Sequence, residues 1–196
     1  MREIRPILID LPEKLVGQRI VVRPWREADT SVLYALVDQN RAHIRRWLPW
    51  ADGYHSIDDA RAFVRRSTAH WALREDLGMA ILDHGGQLLG GIGLHPRVWQ
   101  VPAFEIGYWI AEPHQGKGYV AEAVKLVTGL AFDVLHARRV MIRCDARNDR
   151  SAAVARRCGY VFEGTFRSDS IAADGSLGDT MVFSLLPAEY AATRGT

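Results

Sequence analysis

The hydrophobic pattern changes its period over residues 104–134. At first every second residue is apolar, as in a β-strand with two different faces. These residues are Phe104, Ile106, Tyr108 and Ile110. After Gly118 the apolar residues recur at helical spacing. They are Val120, Val124, Val127, Ala131 and Val134. The pattern therefore predicts a strand that Pro113 stops and a helix that begins at Gly118.

The rest of the chain divides into further strands and helices. Strands are predicted over residues 19–23, 80–83, 87–95, 140–145, 161–170 and 180–186, and helices over 27–39, 57–74 and 150–158. His84-Gly85-Gly86 and Ala173-Asp174-Gly175 are typical of hairpin turns. A helical crossover to a parallel strand, followed by an antiparallel hairpin, favours a mixed sheet with helices on both faces. No repeat or linker divides the chain, so we expect one α/β domain.

Two glycines lie between the central strand and its helix. A helix N-terminus presents unpaired N–H groups and the positive end of a dipole. Gly116 and Gly118 lack the side chains that would keep a pyrophosphate away from those groups. The turn is therefore a candidate phosphate site, and a plain strand-to-helix connection is the alternative.

A dinucleotide is one ligand that such a turn binds. Residues 116–121 match the G-x-G-x-x-G/A fingerprint, and Asp145 is an acid that a ribose would need. That fingerprint belongs in the first βαβ unit of a large parallel sheet. Here it begins after more than half of the 196 residues, which leaves too little chain for such a sheet. A nicotinamide dehydrogenase is therefore the weaker interpretation.

The segments on and after this turn resemble the GNAT N-acetyltransferases. Gln115-Gly-Lys-Gly-Tyr-Val120 is similar to the Q/R-x-x-G-x-G/A acetyl-CoA turn of that superfamily, and residues 143–164 are similar to its N-x-x-S/A helix and the G-F/Y strand start that follows. Within the superfamily the chain resembles the branch that acetylates the N-termini of ribosomal proteins. Further similarity lies at residues 23–25, 47–50 and 179–186. Val120 departs from the pattern, which has Gly or Ala there.

The resemblance implies the fold and the co-substrate. It implies a single domain over residues 1–196, with a core at about 19–187, and a mixed, mostly antiparallel twisted sheet of about seven strands with a splayed parallel pair at the acetyl-CoA site. A backbone N–H of Trp109, Ile110 or Ala111 is expected to hold the thioester carbonyl where the strands splay. The other residues expected to contact acetyl-CoA are Gln115, Gly116, Lys117, Gly118, Tyr119, Val120, Asn148, Ser151 and Arg156. For Arg156 and its neighbour Arg157, a solvated face is the alternative.

Glu105 is the candidate general base. It lies on an otherwise uncharged strand that leads to the phosphate turn, and an α-amino group with a reference pKa of about 7.7 to 8 loses its proton readily near neutrality. An edge carboxylate or an ion-pair partner is the alternative. Asp169 is the reserve base. The similar branch can use an acid on this later strand, at a position that aligns with Ser170 here.

Ser151 is the candidate partner of the departing thiolate. Many acetyltransferases use a tyrosine four residues beyond the N-x-x-S/A position, but Ala155 occupies that place. In the similar branch a serine at the position of Ser151 faces the cofactor sulfur, where its hydroxyl can donate a hydrogen bond. The alternative is a structural role as a helix N-cap, for which Asn148 and Ser151 are both suited.

The acceptor side is less clearly marked. Trp47-Leu-Pro-Trp50 belongs to a region that forms a wall of the acceptor cleft in the family, so Trp50 is a candidate acceptor contact together with Glu105. Packing in the core is an equal alternative for such an aromatic residue. The acceptor class stays open between a protein N-terminus, a polyamine, an antibiotic and another small metabolite.

Composition excludes several other classes. The chain is 48% hydrophobic, with 25 Lys and Arg against 23 Asp and Glu, a net charge of +2. Neither nucleic acid nor a membrane surface is required by such a balance, and no apolar run approaches a membrane span or a signal peptide. Cys144 and Cys158 have no paired spacing, which suits a reducing cytoplasm, and the seven scattered histidines predict no metal site.

The sequence therefore predicts an acetyl-CoA-dependent N-acetyltransferase. We expect direct transfer, since no Cys or Ser has an obvious His partner that would make an acyl-enzyme. A non-catalytic acyl-CoA-binding module with the same fold is the alternative. Relatives are often dimers, so the resemblance also makes a homodimer an arrangement to test.

Overall fold

A computed structural model describes residues 4–172 and 174–194. Within them one mixed sheet carries eight strands, in the order β1-β2-β3-β4-β5-β6-β8-β7. The strands are β1 (Leu15–Val16), β2 (Ile20–Pro24), β3 (Leu77–Asp83), β4 (Leu88–Val98), β5 (Ala103–Ile110), β6 (Arg139–Asp145), β7 (Val161–Ile171) and β8 (Leu177–Leu185). The α-helices are α1 (Thr30–Gln39), α2 (Arg41–Arg45), α3 (Ile57–Leu73), α4 (Tyr119–Gly129), α5 (Asp149–Arg157) and α6 (Pro187–Arg194).

One parallel pair interrupts an otherwise antiparallel sheet. β5 pairs with β6 at only three positions, the last of which is Glu105 with Met141. Beyond that point both strands continue without pairing to each other, so they splay apart. The predicted splayed pair is confirmed. A sheet with a single parallel pair also excludes the doubly wound fold that a dinucleotide site needs.

Two hydrophobic clusters cover the two faces of the sheet. The larger cluster packs α4 and α5 against the centre of the sheet and includes Phe104, Ile106, Val124 and Phe183. The smaller cluster packs α1 and α3 on the opposite face around Trp25. Because α1 and α3 cover only the β2–β4 side, the end of the sheet near the splay stays open on that face.

Close contact between β4 and β5 depends on a glycine. A Cβ at Gly90 would lie 2.2 Å from the carbonyl oxygen of Trp109, so no other residue fits there without a backbone shift. Trp109 lies on the splayed part of β5. Gly90 therefore helps to set the position of the strand that leads to the phosphate turn.

Most predicted elements are present, with shifted ends. The structure has eight strands rather than about seven, because the two-residue strand β1 also pairs. β3 begins at Leu77 rather than at residue 80, and the helix predicted over 27–39 divides into a 3-10 turn, Glu27–Asp29, and α1. The short helix α2 and the helix α6 were not predicted. The β7–β8 turn holds Gly175 at a positive φ, while its Ala173 lies outside the described residues.

Candidate active site

The splay between β5 and β6 opens into a cavity of about 760 Å³. Its walls come from the splayed ends of both strands, the start of α4, α5, α2 and the hairpin of β7 and β8. The predicted residues that line it are Glu105, Trp109, Ile110, Gln115, Gly116, Gly118, Tyr119, Val120, Asn148 and Ser151. One cavity therefore brings together residues from four separate segments of the sequence.

The phosphate turn has the geometry that two glycines permit. Gly116 and Gly118 have φ values of 71° and 81°, in the region that L-residues with side chains rarely adopt. Gly118 is the N-cap of α4, and a Cβ at Gly116 would meet no atom within 4 Å. The first N–H groups of α4 thus border an open space, which is the property that an anion-binding helix start requires.

Arg19 contacts the phosphate turn and the first residues of α4. Its guanidinium donates to the carbonyl oxygen of Lys117 at 2.7 Å and to Glu122 at 2.9 Å, and it lies over the Tyr119 ring at 5.2 Å. Burial opposes the ionised form of Glu122, but the hydrogen bonds from Arg19 prevail and lower the pKa of that carboxyl. Arg19 directly precedes β2, so the start of α4 is fixed to the sheet.

Gln115 joins two helices across the turn. Its amide Nε2 lies 2.7 Å from Nε2 of His43 on α2, and its Oε1 accepts a hydrogen bond from Arg150 on α5. Asn40, between α1 and α2, accepts the backbone N–H of Glu112 through its Oδ1 at 2.9 Å. The α1–α2 region is thereby tied to the segment that follows β5.

A hydroxyl pair lies on the α5 side of the splay. The Tyr108 hydroxyl is 2.8 Å from Oγ of Ser151 and donates to the Ser151 carbonyl at 3.2 Å. Burial raises the pKa of Tyr108, which keeps its proton in place at neutral pH. Burial also raises the pKa of the neighbouring Cys144 thiol, although a hydrogen bond to Ser151 opposes the rise. Asn148 caps α5, because its Oδ1 accepts the Ser151 N–H at 3.0 Å.

The backbone ladder distinguishes the three candidate donors to a thioester carbonyl. Ala111 donates its N–H to the Leu89 carbonyl at 2.9 Å. Residues of an antiparallel ladder alternate between the two neighbouring strands, so Trp109, opposite Gly91, also turns its N–H toward β4. Ile110 turns its N–H toward β6, where the two strands are no longer paired. Ile110 is therefore the donor that faces the splay.

Glu105 lies at the start of the splay, on the face opposite to the hydroxyl pair. Its side chain is 22% exposed, and a carboxylate oxygen lies 3.7 Å from the Arg97 guanidinium. The reserve base, Asp169, instead accepts a 2.7 Å hydrogen bond from Arg143 and does not line the cavity, whereas Ser170 does. Of the two candidate bases, Glu105 is thus the one that lines the cavity at the β5–β6 splay.

Four predicted residues are not part of the cavity wall: Ala111, Arg156, Lys117 and Trp50. The Arg156 guanidinium covers the Phe183 ring at 5.3 Å. Arg150 and Arg157, which lie two turns apart on α5 and so share one face of it, line the cavity instead. Lys117 contributes its carbonyl oxygen to Arg19. Trp50 packs on Trp109 with 5.8 Å between ring centroids, while Trp47 and Leu48 reach the cavity.

Sequence reasoning missed several residues that shape this site. Tyr108 is part of the predicted alternation, but its polar partner Ser151 is 43 residues away. Arg19 and His43 reach the turn from 98 and 72 residues away. No local motif marks such contacts. Arg150 could have been found, because it precedes Ser151 and lies one helical turn from Val154 on the inner face of α5.

Residues 4–172 and 174–194 show neither a metal-binding cluster nor a membrane-spanning helix. No group of three or more His, Cys, Asp or Glu side chains is arranged to hold a metal ion there. None of the helices in that part of the chain is long and apolar enough to cross a membrane.

A splayed strand pair next to a glycine-rich helix start defines the class of an acyl-CoA-binding transferase. Comparison with known proteins agrees: residues 19–161 match the family model of the acetyltransferase (GNAT) domain. The chain belongs to the GNAT acetyltransferase family, as the resemblance predicted. It is accordingly an acetyl-CoA-dependent N-acetyltransferase, which confirms the predicted enzyme class and fold.

Two of the relatives carry the names of ribosomal N-acetyltransferases. YdaF of Bacillus subtilis (strain 168), whose name assigns it provisionally to the ribosomal N-acetyltransferases, is 33% identical over 179 residues, 89% of this chain and 95% of the relative. The ribosomal-protein-serine acetyltransferase of Escherichia coli (strain K12) is 26% identical over 152 residues, 78% of this chain and 84% of the relative.

A solved structure shares the fold over almost the full length. It is RimL, a ribosomal L7/L12 alpha-N-protein acetyltransferase in complex with coenzyme A, with a TM-score of 0.83 and 24% identity over 89% of this chain and 98% of that chain. The similarity therefore covers the whole sheet and the helices on both faces.

Proposed function

We propose that this enzyme transfers the acetyl group of acetyl-CoA directly to the N-terminal α-amino group of a protein, with ribosomal proteins as the acceptor class. The observation that carries the proposal is the division of polar groups between the two sides of the splay. A carboxylate, Glu105, lies on the open face, and the hydroxyl pair of Tyr108 and Ser151 lies on the covered face. The names of the relatives in this branch support the acceptor class.

Acetyl-CoA would enter through the turn before α4. The first N–H groups of α4, with Gly116 and Gly118, would bind the pyrophosphate, and Arg150 is placed to add a charge in the position for which Arg156 was expected. Val120 lines the same cavity and limits how closely the helix approaches the phosphates. The Ile110 N–H would hold the thioester carbonyl and stabilise the negative charge that develops on it.

The acceptor would approach from the open face. Glu105 would attract the ammonium form of the amine and accept its proton, and the free amine would attack the thioester carbon. As the tetrahedral intermediate collapses, the C–S bond breaks and the nitrogen loses its second proton to Glu105, which by then has released the first to solvent. The thiolate gains a proton from the Ser151 and Tyr108 pair, which regains it from solvent. The Tyr108 hydroxyl, which stays protonated, can supply this proton or stabilise the thiolate by a hydrogen bond.

An acceptor panel tests the proposal. Thiol release from acetyl-CoA is measured with peptides that carry free N-termini, the same peptides with blocked N-termini, polyamines and aminoglycosides. We expect release with the free peptides alone. Release only with small amines would assign a small-molecule acceptor, and firm coenzyme A binding without release for any amine would assign a non-catalytic acyl-CoA-binding module. Either result contradicts the proposal.

Two carboxylate variants test the assignment of the base. Glu105→Gln should lower kcat by about 100-fold or more, in line with the contribution of a general base, and should leave coenzyme A binding intact. Asp169→Asn is the matched comparison for the reserve base, and Glu75→Gln, on an exposed residue near His70, controls for the loss of any carboxylate. A larger loss in Asp169→Asn than in Glu105→Gln would reverse the assignment.

A further inference from the structure

A histidine and a carboxylate form a hydrogen-bonded pair directly beside Glu105. Nδ1 of His95 lies 2.5 Å from Oδ1 of Asp76, and both side chains are half-buried. His95 is the cross-strand partner of Glu105 in the β4–β5 ladder, so the two side chains project from the same face at neighbouring positions. Asp76 directly precedes β3. Three strands therefore contribute one group each to a row that begins at the cavity.

Two glycines give the imidazole its position. Built Cβ atoms would lie 2.6 Å from Nε2 of His95 at Gly93 and 3.2 Å from the same atom at Gly107. The ring thus occupies the space that the two missing side chains leave, with Nε2 close to both Gly93 on β4 and Gly107 on β5. Gly107 itself lines the cavity. Among the described residues no hydrogen bond reaches Nε2, so this nitrogen is available to a proton.

The arrangement has the order of a general-base dyad. A carboxylate that accepts the N–H of one ring nitrogen fixes the tautomer, leaves a lone pair on the other nitrogen and stabilises the imidazolium that forms. An imidazole, with a reference pKa of about 6.5, also matches an α-ammonium of about 7.7 to 8 more closely than a carboxylate of about 4.3 does. Proton transfer is efficient between groups of similar pKa.

We propose that His95, oriented by Asp76, is the proton relay of this active site: it takes from Glu105 the proton that the acceptor ammonium gives up and releases it to solvent. The proposal rests on the proposed function. One proton moves from nitrogen to the Glu105 carboxylate, then to Nε2 of His95 as its Nδ1–H bond to Asp76 strengthens, and then to water. Glu105 is thereby ionised again for the next turnover.

The charges around His95 agree with this role. Burial alone would lower the pKa of His95, but the hydrogen bond and charge of Asp76, together with the charge of Glu105, raise it above its ordinary value against the opposing effect of Arg97. These three groups, from the β3 start, β5 and β4, are the charged neighbours that act on the ring. A relay with a raised pKa approaches that of the amine it serves.

The test is the pH dependence of kcat for peptide acetylation in His95→Gln and Asp76→Asn. We expect His95→Gln to lower kcat at neutral pH by about 10-fold or more with an unchanged KM for acetyl-CoA. In the pH profile of kcat, the ionisation of His95 should disappear from the limb on which activity rises with pH. Asp76→Asn removes the carboxylate that raises the pKa of His95, so the same limb should move to lower pH. His70→Gln, on an exposed histidine of α3, is the control.

Chemical rescue distinguishes a relay from a packing role. Added imidazole should restore activity to His95→Ala and leave the wild type unchanged. Profiles of His95→Gln and Asp76→Asn that superimpose on the wild type, or a His95→Ala variant that imidazole does not rescue, would overturn the relay and leave the pair as a structural tie between β4 and β3. If the histidine variants do not fold, the shift of the pH profile of kcat in Asp76→Asn decides between a relay and a packing role.

A titration separates this inference from the proposed function. The imidazole resonance of His95, followed by NMR without substrate, should titrate above its ordinary pKa in the wild type and at a lower pH in Asp76→Asn. If the wild type acetylates peptides and His95→Gln is equally active, the relay alone is wrong. If the wild type acetylates no amine, the proposed function fails and the relay falls with it, whatever the titration shows.

Discussion

The hydroxyl oxygens of Tyr108 and Ser151 lie 2.8 Å apart where β5 faces α5. Many acetyltransferases carry a tyrosine at the position of Ala155 on α5, so the sequence left Ser151 as the candidate partner of the thiolate, and in the structure a tyrosine of β5 lies beside it. A buried tyrosine that keeps its proton can assist a departing thiolate, whose parent thiol has a reference pKa of about 8.5. Under the proposed mechanism, the strand would supply the group that the helix lacks.

Tyr108→Phe should lower kcat by about 10- to 100-fold and change the KM for acetyl-CoA little, because the hydroxyl acts when the thiolate forms. Ser151→Ala should have a similar effect, and the double variant should lose less than the product of the two, since the groups act as one unit. The measurement is steady-state thiol release. Tyr34→Phe, on a residue of α1, is the control. Fully multiplicative losses would contradict a shared role.

Gly116→Ala should weaken coenzyme A binding far more than it weakens the fold. The new methyl group meets no protein atom within 4 Å, but it enters the space assigned to the pyrophosphate, and the positive φ costs about 1–2 kcal/mol of stability. Gly175→Ala is a matched control, because Gly175 has a φ of 82° and equally open surroundings in the β7–β8 turn. Isothermal titration with coenzyme A measures the loss of affinity, and thermal unfolding measures the loss of stability. If the two variants bind coenzyme A with equal affinity, the assignment of the pyrophosphate to this turn is wrong.

Gly90→Ala should destabilise the protein by about 1–3 kcal/mol, a common range for overpacking. Its methyl group would lie 2.2 Å from the Trp109 carbonyl oxygen, so β4 and β5 would have to separate beside the active site. Gly53→Ala, where nothing lies within 4 Å, should be close to neutral. Denaturant unfolding measures both. A neutral Gly90→Ala would show that this contact does not constrain the strands.

The ion pair of Arg139 and Glu163 should make the folding stability depend on pH in the acidic range. The hydrogen bonds from Arg139 and Ser184 lower the pKa of Glu163 from 4.5 to about 2. A lowered pKa means that the stabilisation is present above about pH 4.5 and is lost as the pH falls toward 2. The Glu163 side chain is 39% exposed, so screening limits the effect to about 1 kcal/mol or less.

Arg139→Met should therefore lower the unfolding temperature at pH 7, with a difference from the wild type that shrinks as the pH falls below about 4.5. Arg61→Met, which removes an exposed partner of Asp58 on one helix turn, should change stability little at any pH. A difference between Arg139→Met and the wild type that stays constant from pH 7 to pH 3 would contradict the assignment.

The sequence predicts the order of elements because periodicity is local. The change from period two to helical spacing at residues 104–134 located β5, the glycine turn and α4 correctly. It could not predict α2, which has five residues and packs only one buried side chain, Ile44. A helix of that length is held by tertiary contacts rather than by its own pattern.

The site is predictable where it is contiguous. The glycine turn and the Asn148 cap depend on neighbouring residues, and the structure places both at the cavity. The direction of Arg156 was not predictable, because its exposure depends on the rotation of α5 against β8, where Phe183 covers one side. Arg19 was missed for the same kind of reason, since its contacts to Lys117 and Glu122 arise only when β2 and α4 pack together.

Direct transfer within the splay is the central claim, and two-substrate kinetics test it most directly. Initial rates of thiol release are measured over a grid of acetyl-CoA and free N-terminal peptide concentrations, and the protein is then checked by mass for retained acetyl groups. We expect intersecting double-reciprocal lines and no acetylated enzyme, because both substrates must occupy the cavity together. Parallel lines, with an acetyl group bound covalently to the protein, would contradict it.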